Sequence, residues 1–170
     1  MSYTYGNREF TYFDYGTPLK LANPEFDRIA SLMPDCCPVE IIPIVSTNTE
    51  NYDKRLAELI EKSKQSDKNK APIIKEMFHG TKAQYVESII VQGLKASYNR
   101  TSAYGKGTYF SPHVKFSLNG YTNKGLDEMS YVFVCDVIVN DTKGNKSTIY
   151  VCPNDNSFLI KYLVKFYKLK

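Results

Sequence analysis

The chain has 170 residues, 42% hydrophobic and 24% charged, which suits one globular domain over residues 1–170 with a single core. Its net charge of +4, from 22 basic and 18 acidic residues, permits an anionic ligand without arguing for nucleic acid. The cysteines at 36, 37, 135 and 152 have no C-x-x-C spacing that would suggest zinc, and no signal peptide or long apolar span is present. The chain therefore reads as soluble and intracellular, in cytoplasm or nucleus, with no metal and no membrane partner.

Residues 1–22 are rich in aromatics: Tyr3, Tyr5, Phe10, Tyr12, Phe13 and Tyr15. Disordered arms are poor in these, so 10–15 is expected to be an extended segment packed on the domain as an edge strand. A disordered recognition tail is the alternative. Asn23-Pro24-Glu25 is a helix start, with a capping side chain, proline in the first turn and an acid near the positive end. Phe26, Ile29, Ala30 and Met33 form its apolar stripe, and Pro34 ends it. The β-branched run from Val39 to Val45 contains Pro43, which predicts an edge strand. A second helix begins near Thr49, with Tyr52, Leu56, Leu59 and Ile60 on one face, and gives way to a polar loop at 63–70.

A strand from Ile73 is expected to deliver His79 at its end. Residues 82–92 read as a helix through Val86, Ile89 and Ile90, stopped at Gly93. After a polar loop over 94–106, a strand at 108–110 would place Thr108 and Phe110 on one face and Tyr109 on the other. A helical turn to Leu118 and a Gly/Asn-rich loop follow. Tyr131 to Val139 is nearly all apolar and should be a central strand. Ser147–Cys152 and Phe158–Tyr167 would close the sheet, with Ile160, Tyr162, Val164 and Phe166 sharing a face. Without regular βαβ alternation the fold class is α+β, with a mixed or antiparallel sheet and helices mainly from the N-terminal half. No G-x-G-x-x-G follows the first strand, which counts against a Rossmann dinucleotide site.

Two stretches stand out. Phe78-His79-Gly80-Thr81 ends a strand, and Tyr104-Gly105-Lys106-Gly107-Thr108-Tyr109-Phe110 turns through two glycines into another. Either alone is a weak signal. Together, with the helix ending at Gly93-Leu94 between them, they resemble the catalytic core of the poly(ADP-ribose) polymerase family, most closely its mono-ADP-ribosylating branch. The resemblance implies an ADP-ribosyltransferase fold that uses NAD as co-substrate. It places His79 as donor to the adenine-side ribose, the backbone of Gly80 on the nicotinamide carboxamide, and Tyr109 stacked on the nicotinamide ring. Ser117 would complete the carboxamide contacts and Tyr121 the second stack. Thr81 and Arg100 fall among the implied NAD-binding residues.

Two departures bear on the reaction. The family's third signature position falls at Ile149, where chain-elongating members carry Glu, and the connection 140–147 is shorter than usual on the acceptor side. The resemblance therefore implies transfer of a single ADP-ribose to a protein acceptor, including the protein itself, with nucleic acid not excluded and nicotinamide released by a monomer. A catalytically silent NAD-binding or interaction module of the same fold is the alternative. A transferase acting on RNA 2′-phosphates is a third reading, but its expected basic and histidine cluster is missing.

Overall fold

The most apolar stretch of the chain becomes its central strand. In a computed structural model, which describes residues 2–5, 8–11, 15–68, 70–96, 104–118 and 129–168 (backbone alone at 2–5, 8–11, 117, 118 and 168), β6 (Ser130–Ile138) is buried at every position but Asp136. It is flanked by β4 (Ile74–Thr81) and β8 (Phe158–Lys168), and β3 (Cys36–Pro43) pairs with the far side of β8. The sheet order is β3-β8-β6-β4, antiparallel throughout. β3 lies on the edge, where its prolines leave few ladder bonds unmade, and its register shifts between Pro38 and Glu40. The strand begins three residues earlier than its β-branched run suggests and ends at Pro43.

A second, two-stranded sheet pairs β5 (Thr108–Phe110) with β7 (Tyr150–Cys152). This corrects the expectation that Ser147–Cys152 closes the main sheet. Only Tyr150–Cys152 is strand, and its partner is β5; Tyr150 and Cys152 are buried against the main sheet, while Val151 is buried on the other face. The N-terminal segment contributes β1 (Ser2–Tyr5) and β2 (Arg8–Thr11), which among the described residues pair only with each other. The edge strand expected over 10–15 is thus a hairpin arm up to Thr11; Tyr12 to Asp14 lie outside the described residues. Tyr15 packs on Tyr131, ring centroids 6.5 Å apart.

The main sheet has two apolar faces, each covered by different elements. On one face Met77, Phe133, Cys135, Val137 and Leu163 meet Phe110, Tyr150 and Cys152 of the small sheet, together with α3 (Val86–Gln92). On the other, Phe78, Val132, Val134, Val164 and Phe166 meet α1 (Pro24–Ser31) through Phe26, Ile29 and Met33. The Asn23 side chain accepts from the Glu25 N–H, as the helix-start signal predicts.

The shared face expected for β8 is broken. The register with β6 jumps from Val134↔Tyr162 to Cys135↔Ile160, so Lys161 is an extra residue. A one-residue bulge reverses the alternation. Ile160 consequently packs with the small-sheet side, and Tyr162, Val164 and Phe166 with the α1 side. Lys161 is held there by Glu76 at 3.0 Å and Asp136 at 3.5 Å. In α2 (Thr49–Gln65) only Tyr52 of the predicted stripe is buried, and Ile60 is exposed. The expected helix over 82–92 opens as a 3₁₀ turn, Ala83–Tyr85, before α3, which Gly93 ends at φ 82°. All four cysteines are free, with Cys36, Cys135 and Cys152 buried among apolar side chains. Among the described residues no helix is long and apolar enough to cross a membrane.

Candidate functional site

The site forms where the two sheets touch. At that junction the Phe78 N–H donates to the Ser111 carbonyl (2.7 Å) and the Ser111 N–H to the Phe78 carbonyl (3.0 Å), tying the exit of β5 to β4. β4 is an edge strand of the main sheet, and among the described residues no further strand pairs with its outer side. In a strand, the N–H and C=O of one residue point the same way, and alternate residues point to opposite sides. Since Phe78 directs both groups outward to Ser111, Gly80 also directs its N–H and C=O to the open edge. Gly80 is buried and has no side chain to cover them.

His79 lies inside β4, opposite Phe133, rather than at the strand's end, because the strand continues to Thr81. Its ring turns to the small-sheet side and lies 5.7 Å from Phe110, which itself lies 5.1 Å from Phe158. Nδ1 is 2.8 Å from the Tyr109 carbonyl oxygen. A carbonyl can only accept, so Nδ1 carries the proton. Burial holds the imidazole pKa below its usual value, although the bond to Tyr109 pulls it upward, so the ring is neutral at pH 7. Nε2 is then a lone-pair acceptor. The resemblance implies a donating His79, whereas with Nδ1 protonated the ring's other nitrogen offers a lone pair.

The turn before β5 is built around Tyr109. Its hydroxyl donates to the Gly105 carbonyl (2.7 Å) and accepts from the Tyr104 N–H (3.0 Å). As the alternation predicts, Thr108 and Phe110 are buried, while Tyr109 is partly exposed on the opposite face. A Cβ at Gly107 would stand 2.6 Å from Val151 and 2.9 Å from the Cys152 backbone, so no larger residue fits between this turn and β7. Gly105 has φ 99°, which glycine alone adopts readily.

The remaining expected residues are less closely drawn together. Thr81 is buried and donates to the Lys82 carbonyl at 3.3 Å. Ser117 belongs to α4 (Val114–Leu118), which packs along β4, and its backbone alone is described. Arg100 and Tyr121 lie outside the described residues. Ile149 directly precedes β7, partly buried, with its N–H held by the Asn145 side chain at 2.8 Å. Asn145 also accepts from the N–H groups of Ser147 and Thr148, which closes the short connection tightly. None of the motif residues lines the polar cavity of about 330 Å³ between Asn48, Asn51, Gly93 and Asp155. Two features carry no local signal in the sequence. One is the Tyr109 carbonyl that sets the His79 tautomer, 30 residues away. The other is Lys143, whose ammonium lies over Gly105. Among the described residues no group of three His, Cys, Asp or Glu could hold a metal ion.

Comparison with known proteins adds a family match. Residues 33–147 fit the sequence model of the poly(ADP-ribose) polymerase catalytic domain, from the end of α1 to the closing turn before Ile149. Over 86 residues, 48% of this chain, it is 36% identical to human protein mono-ADP-ribosyltransferase PARP14, of whose length that match covers 5%. With most of the chain inside the family match, and with both motifs meeting at one sheet junction, the chain belongs to the poly(ADP-ribose) polymerase catalytic-domain family.

Proposed function

We propose that this domain is a mono-ADP-ribosyltransferase that takes NAD, releases nicotinamide and places one ADP-ribose on a protein acceptor. The observation that carries it is the His79–Tyr109 bond, which fixes two signature residues against each other across the sheet junction. The residues suit NAD. Gly80 offers one donor and one acceptor at an open edge, a match for the two hydrogen-bonding ends of a carboxamide. Tyr109 offers a ring whose hydroxyl is already anchored, so stacking on the nicotinamide costs little ordering. The free Nε2 of His79 accepts from a ribose hydroxyl. NAD supplies a cationic pyridinium as leaving group, so the protein's task is to hold ring and sugar in place rather than to react with them.

Single transfer follows from Ile149. Extending a chain needs a base for an ADP-ribose hydroxyl, and general-base assistance is typically worth roughly 10²–10⁴-fold. Ile149 has no lone pair, and the Asn145-closed connection adds no wall on that side. The same absence favours a second reading, a silent NAD-binding module. Incubation with adenine-labelled NAD separates them, with nicotinamide and protein-bound label measured together. The transferase reading expects both, with label as a single mass increment. A ladder of increments would overturn single transfer. Binding without nicotinamide release would favour the silent module.

A further inference from the structure

Lys143 stands behind Tyr109, on the side away from Gly80. Lys143 and Val151 exchange backbone hydrogen bonds of 2.8 and 2.9 Å, which adds a rung to the small sheet. Val151 thus turns both backbone groups away from Tyr109, its partner in the ladder. Tyr109 turns its own carbonyl the other way, to His79 on β4. The order across the small sheet is Lys143, Val151, Tyr109 and then the Gly80 edge. Residues paired across a ladder point to one face, so these three side chains share the face turned away from the main sheet.

The Lys143 side chain crosses β7 to the turn before β5. A Cβ on Gly105 would stand 2.7 Å from its Nζ and 3.1 Å from its Cε. The Gly105 carbonyl is the group that accepts from the Tyr109 hydroxyl, at 2.7 Å. The ammonium therefore rests at the hydroxyl end of the Tyr109 ring. Ile149 lies toward the other end of the small sheet, past Tyr150 and its partner Phe110. Among the described residues no carboxylate pairs with Lys143. Asp141, the nearest acid in sequence, is taken by Arg55 at 2.8 and 2.9 Å and by Ser157 at 2.5 Å. Lys106, exposed in the same turn, has the same sign. The hydroxyl end of the ring carries uncompensated positive charge.

We propose that Lys143 tunes the leaving-group end of the site: its charge makes the Tyr109 face hold neutral nicotinamide better than the cationic pyridinium of NAD. The inference rests on the transferase reading. In that reaction the electron pair of the carbon–nitrogen bond moves onto the ring nitrogen, and the positive charge passes to the ribose. No proton moves in this step. The acceptor, or water in hydrolysis, adds a lone pair to the ribose carbon and releases to solvent any proton it carries. Repulsion from the ammonium raises the energy of the stacked pyridinium and is relieved as the ring becomes neutral. A lysine that only packed the turn would act on both forms of the ring alike.

Calorimetric titration with nicotinamide and with N1-methylnicotinamide separates charge from shape, because both present the same ring and neither carries phosphate. The proteins are the wild type, Lys143→Met, which keeps the length of the stem, and Lys143→Arg. Lys143→Met is expected to bind N1-methylnicotinamide about threefold more tightly, as one exposed charge pair is worth, with nicotinamide unchanged. Lys143→Arg should match the wild type, and added salt should narrow the wild-type preference for the neutral ring. Single-turnover release of nicotinamide from saturating NAD should slow about threefold in Lys143→Met and recover in Lys143→Arg. Thermal melting verifies that each variant is folded. Equal changes for both ligands, no change for either, a wild-type preference indifferent to salt, or an unchanged release rate would overturn the role of Lys143 while leaving the transferase reading intact. No nicotinamide release by the wild type would sink both.

Discussion

Glu76 and His79 are three residues apart on β4, and the chain treats them in opposite ways. Glu76 faces the α1 side, where the Arg28 guanidinium reaches it with two bonds of 2.7 and 3.0 Å and Lys161 with a third of 3.0 Å. Arg28 is also paired with Glu25. These cations hold the Glu76 carboxyl below the usual range, the Arg28 bond first among them, against the opposing effect of burial. At neighbouring Asp136 burial is the larger effect and raises the carboxyl despite Lys161. His79 faces the small sheet, carries no charge and, among the described residues, makes one bond, to a backbone carbonyl. A polar group whose partners are all supplied by the fold has nothing left to offer a ligand. A partly buried group with one partner and one free nitrogen has. On the reading proposed here, that distinction, rather than polarity alone, separates framework from site on this strand.

The comparison can be broken most strongly at Glu76. Glu76→Ala leaves Arg28 and Lys161 without their shared partner and should cost about 2 kcal/mol, less than for a fully buried pair because Arg28 is 45% exposed. Urea denaturation measures this, while titration with a nicotinamide mimic should give an unchanged Kd. A loss of affinity in the folded variant would join Glu76 to the site and erase the contrast.

His79→Ala should do the reverse. It removes one hydrogen bond to ligand, roughly 1–2 kcal/mol or about tenfold in NAD affinity, while the melting temperature moves little. Calorimetric titration with NAD reads the affinity. Equal affinity in wild type and variant would place the ligand elsewhere.

The smallest effect sharpens the contrast through pH. His79 has a depressed folded pKa, so the unfolded chain takes up a proton first as pH falls below about 6.5. The stability associated with its neutral form is present above that pH and is lost on acidification toward the folded pKa. A single proton limits the slope to about 1.4 kcal/mol per pH unit. Glu76 and Asp141, both depressed by their cations, lose their contributions only below about pH 4. Stability measured between pH 7 and 5 should therefore decline in the wild type and stay flatter in His79→Gln. Identical slopes would show that His79 does not titrate as a buried neutral ring.

Periodicity and punctuation made much of this architecture legible. The apolar run of β6, the proline-marked edge of β3 and the capped start of α1 depend on residues near each other in the chain, and so does the split of Thr108 and Phe110 from Tyr109. It was the resemblance of the two motifs to a known family, rather than local pattern, that brought His79, Gly80 and Tyr109 forward as a set. Local patterns could not place Ile160 and Tyr162 on opposite faces, because the bulge at Lys161 is set against partners on β4 and β6 that lie far away in sequence. Nor could they pair β7 with β5, since three apolar residues suit either sheet equally. The protonated nitrogen of His79 was decided by a carbonyl, a group that every residue carries and that spacing cannot single out. The position of Lys143 over Gly105 likewise depended on a ladder rung closed only in three dimensions. Composition and periodicity determined which residues seek the core and which motifs are present. Partner choice among chemically equivalent backbone groups belongs to the tertiary structure, because the free energy separating those choices comes from contacts distant in sequence.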